Sequence, residues 1–176
     1  IVRFEEQCLG NYILKLVFVD KRLISLSDMI RCCFVSYQTR VIQAIGAICG
    51  VFRNHDIQDY VEQQITSLWK ALERENAPCF HDFVKAFHLI NPTDALVYIH
   101  NRIEASKENK ILPSYEEIQK AKNYQNISDD VLTMLGSYAD TQYLDEALDL
   151  FFLYYSKCCG NFMQFYHAAL TYYNVN

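Results

Sequence analysis

Apolar residues recur at helical spacing along almost the whole chain. Near the start, Phe4, Cys8, Leu9, Tyr12, Ile13, Leu16 and Val17 form a broad apolar face, which predicts a helix. Ser25 or Ser27 offers an N-cap to the next helix, with Asp28 near its positive end. Met29, Ile30, Cys33, Phe34 and Tyr37 supply its face. Residues 40–53 are apolar on nearly all sides, through Val41, Ile42, Ala44, Ile45, Ala47, Ile48, Val51 and Phe52. With Gly46 and Gly50 four apart, this stretch predicts a separate, central, buried helix that a neighbour approaches closely. Asp56 opens a long helix carrying Ile57, Tyr60, Val61, Ile65, Leu68, Trp69 and Leu72 on one face. Pro78 marks another start, followed by Phe80, Phe83, Val84 and Phe87.

The second half continues in the same way. Asn91-Pro92-Thr93-Asp94 is a strong start signal, with an N-cap Asn, Pro at the first helical position and an acid in the first turn. Residues 104–126 are the most polar stretch. Within them Ser114-Tyr115-Glu116-Glu117 reads as a capping box after Pro113. Ser128 opens a helix through Val131, Leu132, Leu135 and Tyr138, and Asp140 or Thr141 opens the next. Gly160 ends that helix and Asn161 caps the last, whose face is Phe162, Phe165, Tyr166, Ala169, Leu170 and Tyr173.

An internal echo links two of these helices. Asp94-Ala95-Leu96 with Ile99 matches Glu146-Ala147-Leu148 with Phe151. A small Ala at the same place in two helices is what stacked helix pairs require. The expected fold class is therefore all-α, with antiparallel helical hairpins stacked into a solenoid of the HEAT or TPR kind. An irregular helical bundle is the alternative.

Composition agrees with this pattern. Of 176 residues, 51% are hydrophobic and 21% charged, which is a globular balance. Glycine at 5 and proline at 3 are too scarce for the many turns of a β-sandwich. Net charge is −5, from 16 basic and 21 acidic residues, which argues against binding nucleic acid by phosphate neutralisation. The densest basic group, Arg102 to Lys110, is interleaved with Glu104 and Glu108. The longest apolar run, Val41 to Phe52, is broken by Gln43 and too short to span a bilayer. Seven cysteines is an odd count, with Cys32-Cys33 and Cys158-Cys159 adjacent. Cys8, Cys49 and Cys79 sit among apolar residues. Most of the seven are expected to be reduced, buried small hydrophobes in a cytoplasmic protein.

Candidate chemistry is sparse. The five glycines, at 10, 46, 50, 136 and 160, cannot assemble a Gly-x-x-x-x-Gly-Lys-Ser/Thr phosphate loop or a Gly-x-Gly-x-x-Gly turn. Cys79, His81 and His88 are the only metal-like group, and they lack the second pair of ligands zinc wants. No cysteine has the distinctive setting of a nucleophile. Glu116-Glu117 and Asp129-Asp130 sit at helix starts, where capping and the helix dipole account for them. No catalytic residue, cofactor or metal is therefore expected. The aromatic tail is different: Tyr154 and Tyr172, with part of the Tyr155 and Tyr173 rings, fall off the apolar stripe or at its margin. Exposed tyrosines suit protein interfaces, so these four are the candidate contact residues. The other reading is that they cover an end where another repeat stacks.

The opening segment, Phe4-x-x-Gln7-x-Leu9-x-Asn11-Tyr12-Ile13-Leu14, resembles one found in large signal-transducing P-loop ATPases of the STAND class (NACHT-like and related proteins). There, Phe-x-His-x-x-Phe/Leu-x-Glu-Tyr-Leu-Ala-Ala closes the winged-helix part of the nucleotide-binding module, and a helical-repeat sensor follows. Phe4 and Tyr12 occupy the anchor positions, Leu9 the inner apolar one and Ile13 the Leu position. Glu6 stands where the family often has His, and a carboxylate repels phosphate, so no nucleotide contact is implied there. The chain lacks an initiator Met and opens directly on an amphipathic pattern, as expected of a piece of a longer protein. The resemblance implies that residues 1–24 end a preceding module or form a connecting helix, and that 25–176 are a helical-repeat domain. It implies a non-catalytic domain of a regulatory ATPase. Its partner would be another protein or the neighbouring nucleotide-binding module, with no nucleic acid and no membrane involved. A self-standing helical scaffold or assembly protein with no nucleotide link is the alternative.

Overall fold

A computed structural model describes the backbone of residues 2–52, 54–121 and 129–172, and the side chains of 8–52, 54–118 and 129–172. Among the described residues there are nine α-helices and no strand. None of these helices is long and apolar enough to cross a membrane. The chain divides into two compact units, residues 1–91 and 92–176.

The first unit holds α1 (Val2–Lys15), α2 (Leu26–Val51), α3 (His55–Arg74) and α4 (Phe80–Phe87). A π-helical turn, Leu16–Asp20, extends α1, and Lys15 pairs with Asp20 across it at 2.7 Å. Ser25 caps α2 by accepting a hydrogen bond from the Asp28 amide at 3.2 Å, one of the two caps predicted. The Ser25 cap opens a helix longer than the sequence suggests. The polar Gln38-Thr39-Arg40 stretch is no boundary, because α2 runs on through it. Only Tyr37 leaves helical geometry, at φ −139° and ψ 36°, and it marks a kink.

The far half of α2 is accordingly not central. Val41, Ile45 and Ile48 are buried, but Ile42, Gly46, Gly50 and Val51 are exposed. Among the described residues a Cβ added at Gly46 or Gly50 would meet nothing within 4 Å, so none of the described helices makes the predicted close approach there. Ordinary amphipathic packing of one face suffices.

α2 and α3 form an antiparallel pair. Only residues 52–54 connect them, and the Arg31 guanidinium early in α2 donates to the Glu75 carboxylate just past α3 at 2.6 Å. Ile57, Val61, Ile65, Leu68, Trp69 and Leu72 of α3 are buried, as their spacing predicts. An aromatic cluster joins α2, α3 and α4. Phe34 meets Phe83 edge-on at 5.4 Å, and Trp69 meets Phe80 at 5.6 Å. Each such pair adds about 1 kcal/mol beyond its area burial. α3 ends in a Schellman turn: Asn76 sits at φ 48°, and the Ala77 amide donates to the Leu72 carbonyl at 3.0 Å.

The second unit holds α5 (Pro92–Ala105), α6 (Tyr115–Ala121), α7 (Asp130–Gly136), α8 (Leu144–Cys158) and α9 (Phe162–Tyr172). The capping box before α6 forms in full. The Ser114 amide donates to the Glu117 carboxylate at 2.8 Å, and the Glu117 amide to the Ser114 hydroxyl at 3.3 Å. Ser128 lies outside the described residues. Asp129 caps α7, accepting from the Leu132 amide at 3.0 Å. α8 starts at Leu144, later than Asp140 or Thr141 predicts. Residues 137–143 form turns in which Thr141 donates to the Tyr138 carbonyl at 2.9 Å.

α5 and α8 run parallel. Their first halves line one groove, while at their C-terminal ends Ser106, just past α5, lies 3.6 Å from the sulfur of Cys158, the last residue of α8. The sequence separation of that pair, 52 residues, is the offset of the sequence echo. Ala95 and Ala147 are both fully buried, and Ile99 and Phe151 one turn on are buried too. The echoed positions are thus buried in both helices.

The segment after α5 straps this pair. The Asn109 amide donates to the Lys157 carbonyl at 3.1 Å, and the Gly160 amide to the Asn109 carbonyl at 2.7 Å. The Asn109 side chain donates to Asn161 at 2.8 Å. Gly160, in the 3₁₀ turn Cys159–Asn161, does not adopt the positive φ of a helix-ending glycine. It is there for space: a Cβ would lie 2.7 Å from the Ile111 carbonyl oxygen.

Candidate functional site

Of the four tyrosines singled out by sequence, the three that are described, Tyr154, Tyr155 and Tyr172, are all buried or half-buried. Tyr154 is buried, at 7% exposure, and its hydroxyl donates to the Asp129 carboxylate at 2.9 Å. Burial, with the neighbouring Asp129 charge second, pushes its phenol pKa well above the usual value. Tyr154 lies on the stripe that α8 actually buries, Ala147, Phe151, Tyr154 and Cys158 at i, i+4, i+7 and i+11, whereas the neighbouring Phe152 is exposed. Tyr155 is half-buried with its ring edge-on to Phe165 at 5.1 Å. Tyr172 is half-buried and lies against the bare backbone of Gly136, where an added Cβ would fall 2.7 Å from a ring carbon. Tyr173 lies outside the described residues, as do the side chains of Phe4 and Glu6.

The cysteines also depart from expectation. Only Cys158 is buried, while Cys8 and Cys32 are exposed and the rest are intermediate. Cys8 and Cys32 lie on outer faces of α1 and α2, where nothing packs over a small apolar side chain. Burial raises the Cys49 thiol pKa. His88 is a half-buried core residue whose Nδ1 lies 2.9 Å from the Lys85 carbonyl. Desolvation lowers its pKa, against backbone hydrogen bonds to Lys85 and Val84 that raise it. Among the described residues no three His, Cys, Asp or Glu side chains are grouped to hold a metal ion.

Two cavities of similar size open on the second unit. A polar cleft of about 460 Å³ is lined by Arg102, Ser106, Asp129, Asp130 and Tyr154. Its Asp129 carboxylate is already engaged, capping α7 with one oxygen and holding Tyr154 with the other. The second cavity is an apolar groove of about 450 Å³ between the outer faces of α5 and α8. Leu96 and Val97 line one wall, with Tyr143 and Leu150 on the other, and Val97 is 57% exposed. Glu146 and Asp149 stand along its α8 side, with His100 across from them on α5.

Sequence reasoning did not find this groove. Val97 and His100 lie off the α5 core stripe, and Glu146 and Asp149 pass as ordinary solvated acids. Their common surface exists only because α5 and α8 lie side by side. The 52-residue echo was the one available pointer to that pairing.

No family model, curated protein or solved structure matches the chain.

Proposed function

We propose that this chain is a non-catalytic helical domain that works by protein–protein contact, as part of a larger regulatory ATPase of the STAND kind. In this reading α5 and α8 are equivalent helices of successive repeats in a solenoid-like stack. Residues 1–24 connect that stack to a nucleotide-binding module, and the protein acts in the cytoplasm. The domain senses a partner, or holds the module closed, and partner binding shifts the module between its two states.

The observation that carries the contact reading is the apolar groove on the paired outer faces of α5 and α8, with an apolar side chain left 57% exposed beside it. Repeat stacks commonly present such surfaces to partners. The matching offset of sequence echo and helix pairing supports the repeat reading. The resemblance of residues 4–14 to the end of a winged-helix element supports the link to an ATPase.

Calorimetric titration of the chain with ATP and with ADP tests it. No saturable heat is expected with either nucleotide. A stoichiometric binding isotherm refutes the non-catalytic reading. The ATPase link has its own test in the coding frame upstream of Ile1, which should contain Gly-x-x-x-x-Gly-Lys-Ser/Thr; a frame without it favours the self-standing scaffold.

A further inference from the structure

We propose that the groove between α5 and α8 receives a basic amphipathic helix from a protein partner. This rests on the reading that the chain works by protein contact, and it names the chemistry of what is contacted.

Shape limits the occupant first. α5 has 14 residues and α8 has 15. The groove's lining runs only from Thr93 to His100 on one side and from Tyr143 to Leu150 on the other, so at 1.5 Å of rise per residue the trough is about 11 Å long, room for about two turns of a third helix. Beyond the groove's far end Lys157 reaches across to the Glu104 carbonyl and lies 3.9 Å from its carboxylate. The walls are apolar, so the occupant must offer an apolar stripe at i, i+3, i+4 and i+7. This is the helix-in-groove mode of recognition.

Charge limits it further. Glu146 and Asp149 are both exposed on the groove's α8 side, and neither makes an ion pair among the described residues. The helix dipole accounts for an acid at Glu146 in the first turn of α8, but the effect fades by Asp149. The surrounding unit is acidic as a whole: residues 92–176 carry eleven acidic against six basic residues, so the chain's net −5 falls there. Nucleic acid and anionic membrane surfaces are repelled by such a site. A second copy of this chain would bring the same acidic lip. A helix with Leu-like residues on one face and Lys or Arg beside them satisfies both walls and lip, and charge complementarity also speeds its encounter.

The test uses the full chain and two fluorescein-labelled, amidated helical peptides of about 18 residues, a length that favours helix formation. One is built of Leu and Lys in the i, i+3, i+4, i+7 register. The other has Glu in place of Lys. Fluorescence anisotropy at near-physiological salt should show saturable binding of the Leu/Lys peptide, about tenfold or more tighter than the Leu/Glu peptide. Val97→Asn, a neutral polar change at an exposed position outside the core, should weaken it several-fold. The double change Glu146→Lys with Asp149→Lys should reverse the preference between peptides. The same charge change at Asp59 and Glu62, exposed on α3, should leave binding within about twofold. The proposal is overturned if wild type shows no saturable binding, if Val97→Asn has no effect, or if the α3 control weakens binding as much as the groove variant. Failure here leaves the nucleotide titration untouched. A chain that binds neither nucleotide nor peptide keeps the non-catalytic reading and loses this one.

Discussion

Replacing Gly160 by Ala puts a methyl carbon where the strap crosses the end of α8. The new Cβ would fall 2.5 Å from the Asn109 amide carbon, 2.7 Å from the Ile111 carbonyl oxygen, and into contact with the Asn109 side-chain oxygen. The Asn109 side chain can turn aside, but the Ile111 oxygen is backbone and cannot leave unless the strap lifts. Lifting it breaks the bond from the Gly160 amide to Asn109 and that from the Asn109 amide to Lys157. At about 1 kcal/mol each these sum to about 2 kcal/mol, and residual overpacking adds about 1 kcal/mol. Against this, Gly160 has no positive φ, so Ala reduces unfolded-state entropy and returns about 0.5–1 kcal/mol. The net expectation is a loss of about 2 kcal/mol. Urea denaturation followed by far-UV circular dichroism should show it as a lower midpoint for the second unit. Hydrogen exchange should show faster exchange at the Asn109 and Gly160 amides. Adding Asn109→Gly should recover only part of the loss, because the Ile111 oxygen remains. Gly160→Ala within 0.5 kcal/mol of wild type, or an Asn109 amide still protected, would refute the close-approach account of this glycine.

Three further outcomes follow from the geometry. Asn76→Ala forces a Cβ-bearing residue without a compensating side-chain bond to hold φ 48°, and should cost about 1 kcal/mol in denaturation, whereas Asn76→Gly should be neutral or better. His88 has a folded-state pKa below its ordinary value near 6.5, so the unfolded chain takes up its proton first. Stability of the first unit should therefore be full above about pH 6.5 and decline as pH falls below it, and His88→Gln should flatten that limb in a pH series of thermal melts. Tyr154→Phe removes the hydroxyl donated to Asp129 while leaving the Leu132 cap in place, and should cost about 1–2 kcal/mol, read as a lower melting temperature.

Helix starts were legible because capping is local chemistry. Ser25, Asn91-Pro92 and the Ser114–Glu117 box each act within four residues, and α2, α5 and α6 begin where they predict. The continuation of α2 past Tyr37 was hidden, since a polar Gln-Thr-Arg stretch reads as a boundary when nothing shows which face it presents. The exposure of Cys8 and Cys32 and the burial of Tyr154 depend on which neighbours pack over a helix, and spacing within one helix does not carry that. Asn76 is an intermediate case: an Asn after Arg74-Glu75 is a recognised C-terminal signal, and its left-handed backbone was there to be read. The candidate groove was the least legible feature, because each of its residues is unremarkable alone and only the parallel pairing of α5 with α8 assembles them.

The aromatic cluster of the first unit has an optical consequence. Trp69 is the chain's single tryptophan, it is 1% exposed, and its neighbours Phe80 and Phe83 do not emit where it does. Its emission is therefore a built-in reporter of residues 1–91, while residues 92–176 contain tyrosines and no tryptophan. Exciting at the red edge of the indole band follows one unit's melting without labels, and circular dichroism follows both. The difference between the two curves isolates the unit that carries the groove.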